Sequence, residues 1–231
     1  MRYPNIIPAT FLSRPNRFVA KVLINGAEEE VHVKNTGRCR ELLVPGCRVY
    51  LTRSSNPARK LPCDLVAVEK LRDGKEPLLV NMDSQAPNKA AFEWVRSGGL
   101  FSAEAEVKSE VTFGDSRFDL FVRDGGRQAF IEVKGVTLEH GGVASFPDAP
   151  TERGVKHLYG LEKALASGFE AYVLFVIQMK EISLFRPNDE THREFGDALR
   201  RVSASGVKIL AYDCLVTPES MVTDSPVEIA L

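Results

Sequence analysis

The feature that most constrains this chain is a change of pattern near residue 85. Residues 10–84 read as short strands and turns alone, whereas residues from 87 onward mix strands with helices. Elements of such different kinds usually bury their apolar faces in separate cores. Two modules, 1–84 and 85–231, are therefore expected. The length of 231 residues leaves room for either one large domain or two small ones. Charge divides at the same place. Residues 1–84 hold 14 Lys and Arg against 9 Asp and Glu (+5), and residues 85–231 hold 16 against 22 (−6), an asymmetry hidden by the overall −1.

The first module contains a strong hairpin signal. Phe18–Ile24 precedes Asn25-Gly26, and alternation resumes over Glu30–Val33; Asn-Gly is the dipeptide a two-residue type I′ turn requires. Further strand candidates are Leu42–Val44, Cys47–Thr52, Leu65–Leu71 and Leu78–Asn81. About five strands in about 75 residues suit a small OB-like barrel, and an SH3-like barrel gives much the same pattern. Basic residues gather at the turns: Arg14 and Arg17 ahead of the first strand, then Arg38, Arg40, Arg53, Arg59 and Lys60. Arg14, Arg17 and Phe18 combine charge with an aromatic ring, as a groove that tracks nucleic acid does, although a strand phenylalanine more often belongs to a core.

The second module reads as α-β-β-β-α-β-α-β. Its elements are a helix over 87–96 stopped by Gly98-Gly99, strands at 106–113, 117–123 and 129–134, and a helix over 152–167 capped by Thr151. A near-continuous apolar strand follows at Ala171–Met179, then a helix over Glu190–Ala204 and a strand over Val207–Val216. The stripe of the second helix is Val155, Leu158, Leu161 and Leu165, at helical spacing.

Turn chemistry within the three strands fixes a register. If Gly114-Asp115 forms a two-residue type II′ turn, Glu110 faces Asp119. If Gly125-Gly126 forms the next, Asp119 faces Glu132, Arg117 faces Lys134 and Phe121 faces Phe130. Glu110, Asp119 and Glu132 then form a row on one face, with Lys134 two residues along. Carboxylates in adjacent cross-strand positions repel, and a divalent cation relieves that repulsion. Lys134 beside them suits orienting or deprotonating a water, as in metal-assisted phosphodiester hydrolysis. The plainer alternative is a set of surface ion pairs with Arg117, of little energetic weight. A turn at Asp124-Gly125 would instead shift the register and send Glu132 to the other face.

Lys108-Ser-Glu-Val111, Arg117-Phe-Asp119, Ile131–Leu138 and Phe146–Leu158, with Asn35-Thr-Gly37 and Leu43-Val-Pro-Gly46, resemble the sugar fermentation stimulation protein A family over essentially the whole chain. The resemblance implies an OB-fold-like domain joined to a PD-(D/E)XK nuclease-like domain. It also implies DNA binding without sequence specificity and a regulatory role in sugar (maltose) metabolism. Asp119 matches the nuclease motif's metal-binding aspartate, and Glu132 and Lys134 match its E-x-K. Phe118 stands where the motif has proline, and Pro147-Asp148 falls after the E-x-K. Glu110 has no sure counterpart in that motif and rests on the register alone.

Arg153 and Lys156 open the 152–167 helix, where exposed N–H groups favour a phosphate. The alternative is an ordinary Glu152–Lys156 pair. His157 reads more readily as a structural histidine than as a participant, and His32, His140 and His192 lack zinc-ligand spacing. No helix-turn-helix or phosphate-binding Gly loop occurs, so steeply salt-dependent contact with the DNA backbone is expected. No apolar run approaches the ~20 residues of a bilayer span, and the N-terminus lacks a signal-peptide core. Cys39, Cys47, Cys63 and Cys214 form no disulfide framework. A cytoplasmic protein with no membrane partner is expected. The leading expectation is a DNA-binding protein with a Mg²⁺- or Mn²⁺-dependent nuclease site. A non-cleaving DNA-binding regulator is the alternative. The oligomeric state stays open, a homodimer being one option.

Overall fold

In the computed structural model, residues 1–35, 37, 39–56 and 58–231 are described. The chain forms two compact units. One is Met1–Ala86 with Gln178–Lys180 and Leu215–Val222; the other is Pro87–Ile177, Glu181–Cys214 and Thr223–Leu231.

The first unit contains β1 (Ile6–Asn16), β2 (Val19–Ile24), β3 (Ala27–Val33), β4 (Arg48–Arg53), β5 (Cys63–Arg72) and β6 (Lys75–Asn81). The β2–β3 hairpin pairs Ile24 with Ala27, and Asn25 and Gly26 both have positive φ (50° and 87°), as a type I′ turn demands. Strand β1 pairs with β2 and β4, β4 with β5, and β3 with β5 in parallel. The ring β1-β2-β3-β5-β4 therefore closes on itself, the five-stranded barrel of the OB type. Val22, Val31, Val33, Val49, Leu51 and Leu65 are among its buried side chains.

Two expectations for this unit change. Arg14 and Arg17 do not precede the first strand: Arg14 lies within β1 and Arg17 in the β1–β2 turn. Pro8 and Pro15, each without an N–H for a ladder, mask β1, and two register shifts against β2 blur its alternation. Leu42–Val44 is not a strand. Leu42 and Leu43 are buried, but from a turn in which both N–H groups bond Cys39 O, so their hydrophobicity serves the core without a ladder.

The second unit begins with α1 (Ala86–Arg96), β7 (Glu106–Phe113), β8 (Ser116–Asp124) and β9 (Arg127–Val136). It continues with β10 (Glu139–His140), β11 (Val143–Phe146), α2 (Glu152–Ala166), β12 (Glu170–Ile177) and β13 (Leu184–Pro187). The remaining elements are α3 (Asp189–Ala204), β14 (Lys208–Thr217), β15 (Ser220–Pro226) and β16 (Glu228–Ile229), with Leu215–Val222 at the β14–β15 turn counted in the first unit. The main sheet runs β15-β14-β12-β9-β8-β7, with β12 parallel to both β9 and β14. All but the first residue of β12 are buried, as a central strand covered on both faces requires. A small sheet, β10-β11-β13-β16, adds strands of two to four residues that are too short to announce themselves by period.

Thr151 caps α2 by accepting from Gly154 N at 3.1 Å, and Asn188 caps α3. Besides Val155, Leu158 and Leu161, the buried face of α2 includes His157 and Gly160. Among the described residues, no helix is long and apolar enough to cross a membrane.

Candidate active site

Both turn assignments hold. Gly114 and Gly125 each have φ of 57° at the first central position, and the ladders pair Phe113 with Ser116 and Asp124 with Arg127. The β7–β8 register continues past Glu110 as expected, from Val111↔Phe118 to Ser109↔Leu120. The β8–β9 ladder runs from the turn to Leu120↔Ile131 and includes Phe121↔Phe130.

Side-chain direction is another matter. Glu110 sits in the left-handed region, with φ of 55°, a conformation that costs a non-glycine residue about 1 kcal/mol. Across from it, Phe118 and Phe121 both lie against Phe130, at 5.3 and 4.9 Å between ring centroids. Residues three apart in a regular strand point to opposite faces, so the alternation breaks between Phe118 and Phe121. Glu110 consequently stands on the surface, its side chain 66% exposed and 3.6 Å from Arg117. Arg117 therefore serves Glu110 as a surface partner, as the plainer reading had it for that residue. Among the described residues, no three His, Cys, Asp or Glu groups gather closely enough to hold a metal ion.

Asp119, Glu132 and Lys134 do come together. Asp119 accepts from Val133 N at 2.7 Å through one oxygen and from Asn88 Nδ2 at 2.7 Å through the other. Lys134 Nζ donates to Glu132 Oε1 at 2.5 Å. His157 Nδ1, from α2, bonds the same Oε1. Glu132 is 2% exposed, yet its Oε2 is buried with no hydrogen-bond partner.

The electrostatics of the pair are asymmetric. Burial, followed by the charge of Glu132, pushes the Asp119 carboxyl above the usual carboxylate range. Burial also acts to raise Glu132, but the His157 hydrogen bond and Lys134 outweigh it and hold that carboxyl below its ordinary value. Two adjacent carboxylates, one of them hard to ionise and the other with an orphaned oxygen, suit a hard cation that takes oxygen ligands.

Arg153 lies close to this cluster, its Nε 3.4 Å from His157 Nε2. Lys156 does not: it pairs at 3.6 Å with Asp115 at the β7–β8 turn. In the first unit, Arg14, Asn16, Arg17, Gly37, Arg40 and Leu43 line a cavity of about 290 Å³. Arg14 donates to the carbonyls of Asn35 (2.6 Å), Arg17 (2.7 Å) and Gly37 (2.8 Å), which pins the cavity walls together. Arg17 and Arg40 are exposed. Arg38 lies outside the described residues. Phe18 is 56% exposed rather than core, because it sits at the β1–β2 turn beyond the barrel's interior.

Family models match both parts of the chain: the SfsA N-terminal OB domain over residues 12–76 and the sugar fermentation stimulation protein RE domain over residues 85–220. The sugar fermentation stimulation protein homolog of Desulfitobacterium hafniense (strain Y51) is 57% identical, over 96% of this chain and 94% of its own. The homolog of Ruminiclostridium cellulolyticum is 51% identical over the full length of both. The chain belongs to the sugar fermentation stimulation protein family. A solved structure of Pyrococcus furiosus SfsA in complex with Ca²⁺ superposes with a TM-score of 0.87 at 27% identity, covering 100% of this chain and 98% of that one.

In this SfsA family member, Asn88 escaped the sequence reading, and His157, read there as structural, meets the site. Asn88 reaches Asp119 from 31 positions away and His157 reaches Glu132 from 25. His157 stands beside the apolar stripe of α2 and is buried with it, but nothing in the sequence showed that it would meet Glu132. For Asn88, in a short helix with no evident pattern, there was no signal.

Proposed function

We propose that the chain binds DNA through its phosphate backbone and hydrolyses phosphodiester bonds at Asp119, Glu132 and Lys134 with Mg²⁺ or Mn²⁺. The observation that carries this reading is the buried, unpartnered Glu132 Oε2 beside an Asp119 carboxyl that burial and Glu132 both disfavour as an anion. Leaving such an oxygen unsatisfied costs about 1–3 kcal/mol or more; a stable protein retains that arrangement more readily when a ligand completes it. The Ca²⁺ in the Pyrococcus furiosus structure supports the same reading.

A divalent cation held by Asp119 and Glu132 would supply charge neutralisation and a bound water of lowered pKa. The chain's own residues do the rest. Asn88 and Val133 N–H fix both oxygens of Asp119. Lys134, 15% exposed and paired to Glu132, is suited to orient a water or to offset charge on a phosphate. Arg17 and Arg40 are suited to backbone phosphates, and Arg14 to holding their cavity in shape.

A second reading, a non-cleaving DNA-binding regulator of sugar metabolism, draws on the exposed position of Glu110, which leaves two carboxylates rather than three at the site. Incubation with linear, nicked, branched and single-stranded DNA in Mg²⁺, Mn²⁺ or EDTA separates the two. Metal-dependent cleavage lost in Glu132→Ala is the expected result. Salt-sensitive binding without cleavage of any substrate would favour the regulator.

A further inference from the structure

The two oxygens of Glu132 are used unequally. Oε1 takes both His157 Nδ1 and Lys134 Nζ, while Oε2 takes nothing. The His157 nitrogen that carries the proton follows from its other neighbour. Arg153 Nε meets His157 Nε2 at 3.4 Å, and a guanidinium N–H only donates. Nε2 must then offer a lone pair, which leaves the proton on Nδ1, facing Glu132. The ring plane is also held, by Phe118 edge-on at 6.3 Å and 74°. His157 is 7% exposed, so water does not compete readily for either nitrogen.

We propose that His157, with its tautomer held by Arg153, is a positioning residue that saturates Glu132 Oε1 and thereby reserves Oε2 for a divalent cation. This inference rests on the metal-site reading above. It assigns α2 a task in the site beyond packing: the helix delivers a donor to one oxygen of a buried carboxylate and so fixes which oxygen remains. Partners of this kind orient a ligand without touching the metal, and their loss typically lowers metal affinity about 10- to 100-fold. A histidine that merely satisfied a buried charge would affect folding stability but not cation affinity in the folded protein.

The test is calorimetric titration of the full-length protein, without DNA, with Ca²⁺ and with Mn²⁺. His157→Phe is expected to weaken binding about 10-fold or more. His157→Asn, whose amide N–H falls where Nδ1 does, should recover most of that loss; His157→Gln, whose amide reaches toward the Nε2 position, should not. Arg153 is exposed, so Arg153→Met should fold normally and show a smaller loss. Nitrogen NMR of the wild-type imidazole should find the proton on Nδ1. Equal affinity in wild type and His157→Phe, or equal rescue by Asn and Gln, would overturn the inference while leaving the metal site standing. If His157→Phe does not fold, the Asn–Gln contrast and Arg153→Met decide the matter. Absence of cation binding by the wild type would remove both readings together.

Discussion

Replacing Gly160 by alanine offers a quantitative check on how closely α2 must approach the sheet. A Cβ at this position would lie 2.6 Å from Ser116 Oγ, 3.1 Å from Ser116 Cβ and 3.1 Å from Phe118 Cζ. Alanine in a helix interior normally gains about 1 kcal/mol over glycine. Overpacking of a closed core costs about 1–3 kcal/mol. The contacts here involve the short, buried Ser116 and a buried ring, neither able to swing away, so the cost should win and Gly160→Ala should lose up to about 2 kcal/mol net. Ser116 Oγ is itself buried without a hydrogen-bond partner, so Ser116→Ala alone should be neutral or stabilising. With that oxygen gone, only the 3.1 Å contacts remain, and Gly160→Ala should then cost little. Urea unfolding of the four proteins gives the coupling directly, provided the slopes agree. His157 lies three residues before Gly160 on the same helix, so Gly160→Ala should also weaken Ca²⁺ binding, and Ser116→Ala should restore it. The reasoning fails if Gly160→Ala alone is as stable as wild type, or if Ser116→Ala leaves its penalty unchanged.

Two further outcomes follow from the charges. Because the native pKa of Asp119 is raised above its unfolded value, the native state binds that proton first. Its contribution to stability therefore grows as pH falls from the raised native value toward the ordinary one, and is lost as pH rises. In EDTA, wild type should accordingly gain on Asp119→Asn over that window in unfolding measured at successive pH values; a flat difference would exclude the shift. In the first unit, Arg17→Ala and Arg40→Ala should each reduce the salt dependence of DNA binding by about one unit of slope. Phe18→Ala should leave that slope alone and weaken single-stranded DNA more than duplex, by about 1–3 kcal/mol if a base stacks on the ring; fluorescence anisotropy across a salt series distinguishes the two effects.

The sequence alone determined whatever a short stretch of backbone can settle. Asn25-Gly26, Gly114-Asp115 and Gly125-Gly126 set three hairpin registers, because two-residue turns admit few backbone solutions and the flanking strands must follow. The last of those turns brings Asp119 alongside Glu132 by fixing the β8–β9 ladder as far as Leu120↔Ile131. Thr151 likewise marks the start of α2, since its hydroxyl accepts from an N–H three residues on. The sequence did not determine which way Glu110 would face: the left-handed residue there keeps the register while breaking the alternation, and register was all that the turns could specify. Nor did it supply Asn88, or show that His157 would bond Glu132 with Arg153 behind it. Their meeting with the carboxylates depends on where helices settle against the sheet, which for α2 is governed by the volume at Gly160, Ser116 and Phe118. Strand pairing is set by neighbours in the chain, but helix-on-sheet packing is set by shape between distant residues, and only the folded structure brings those shapes together.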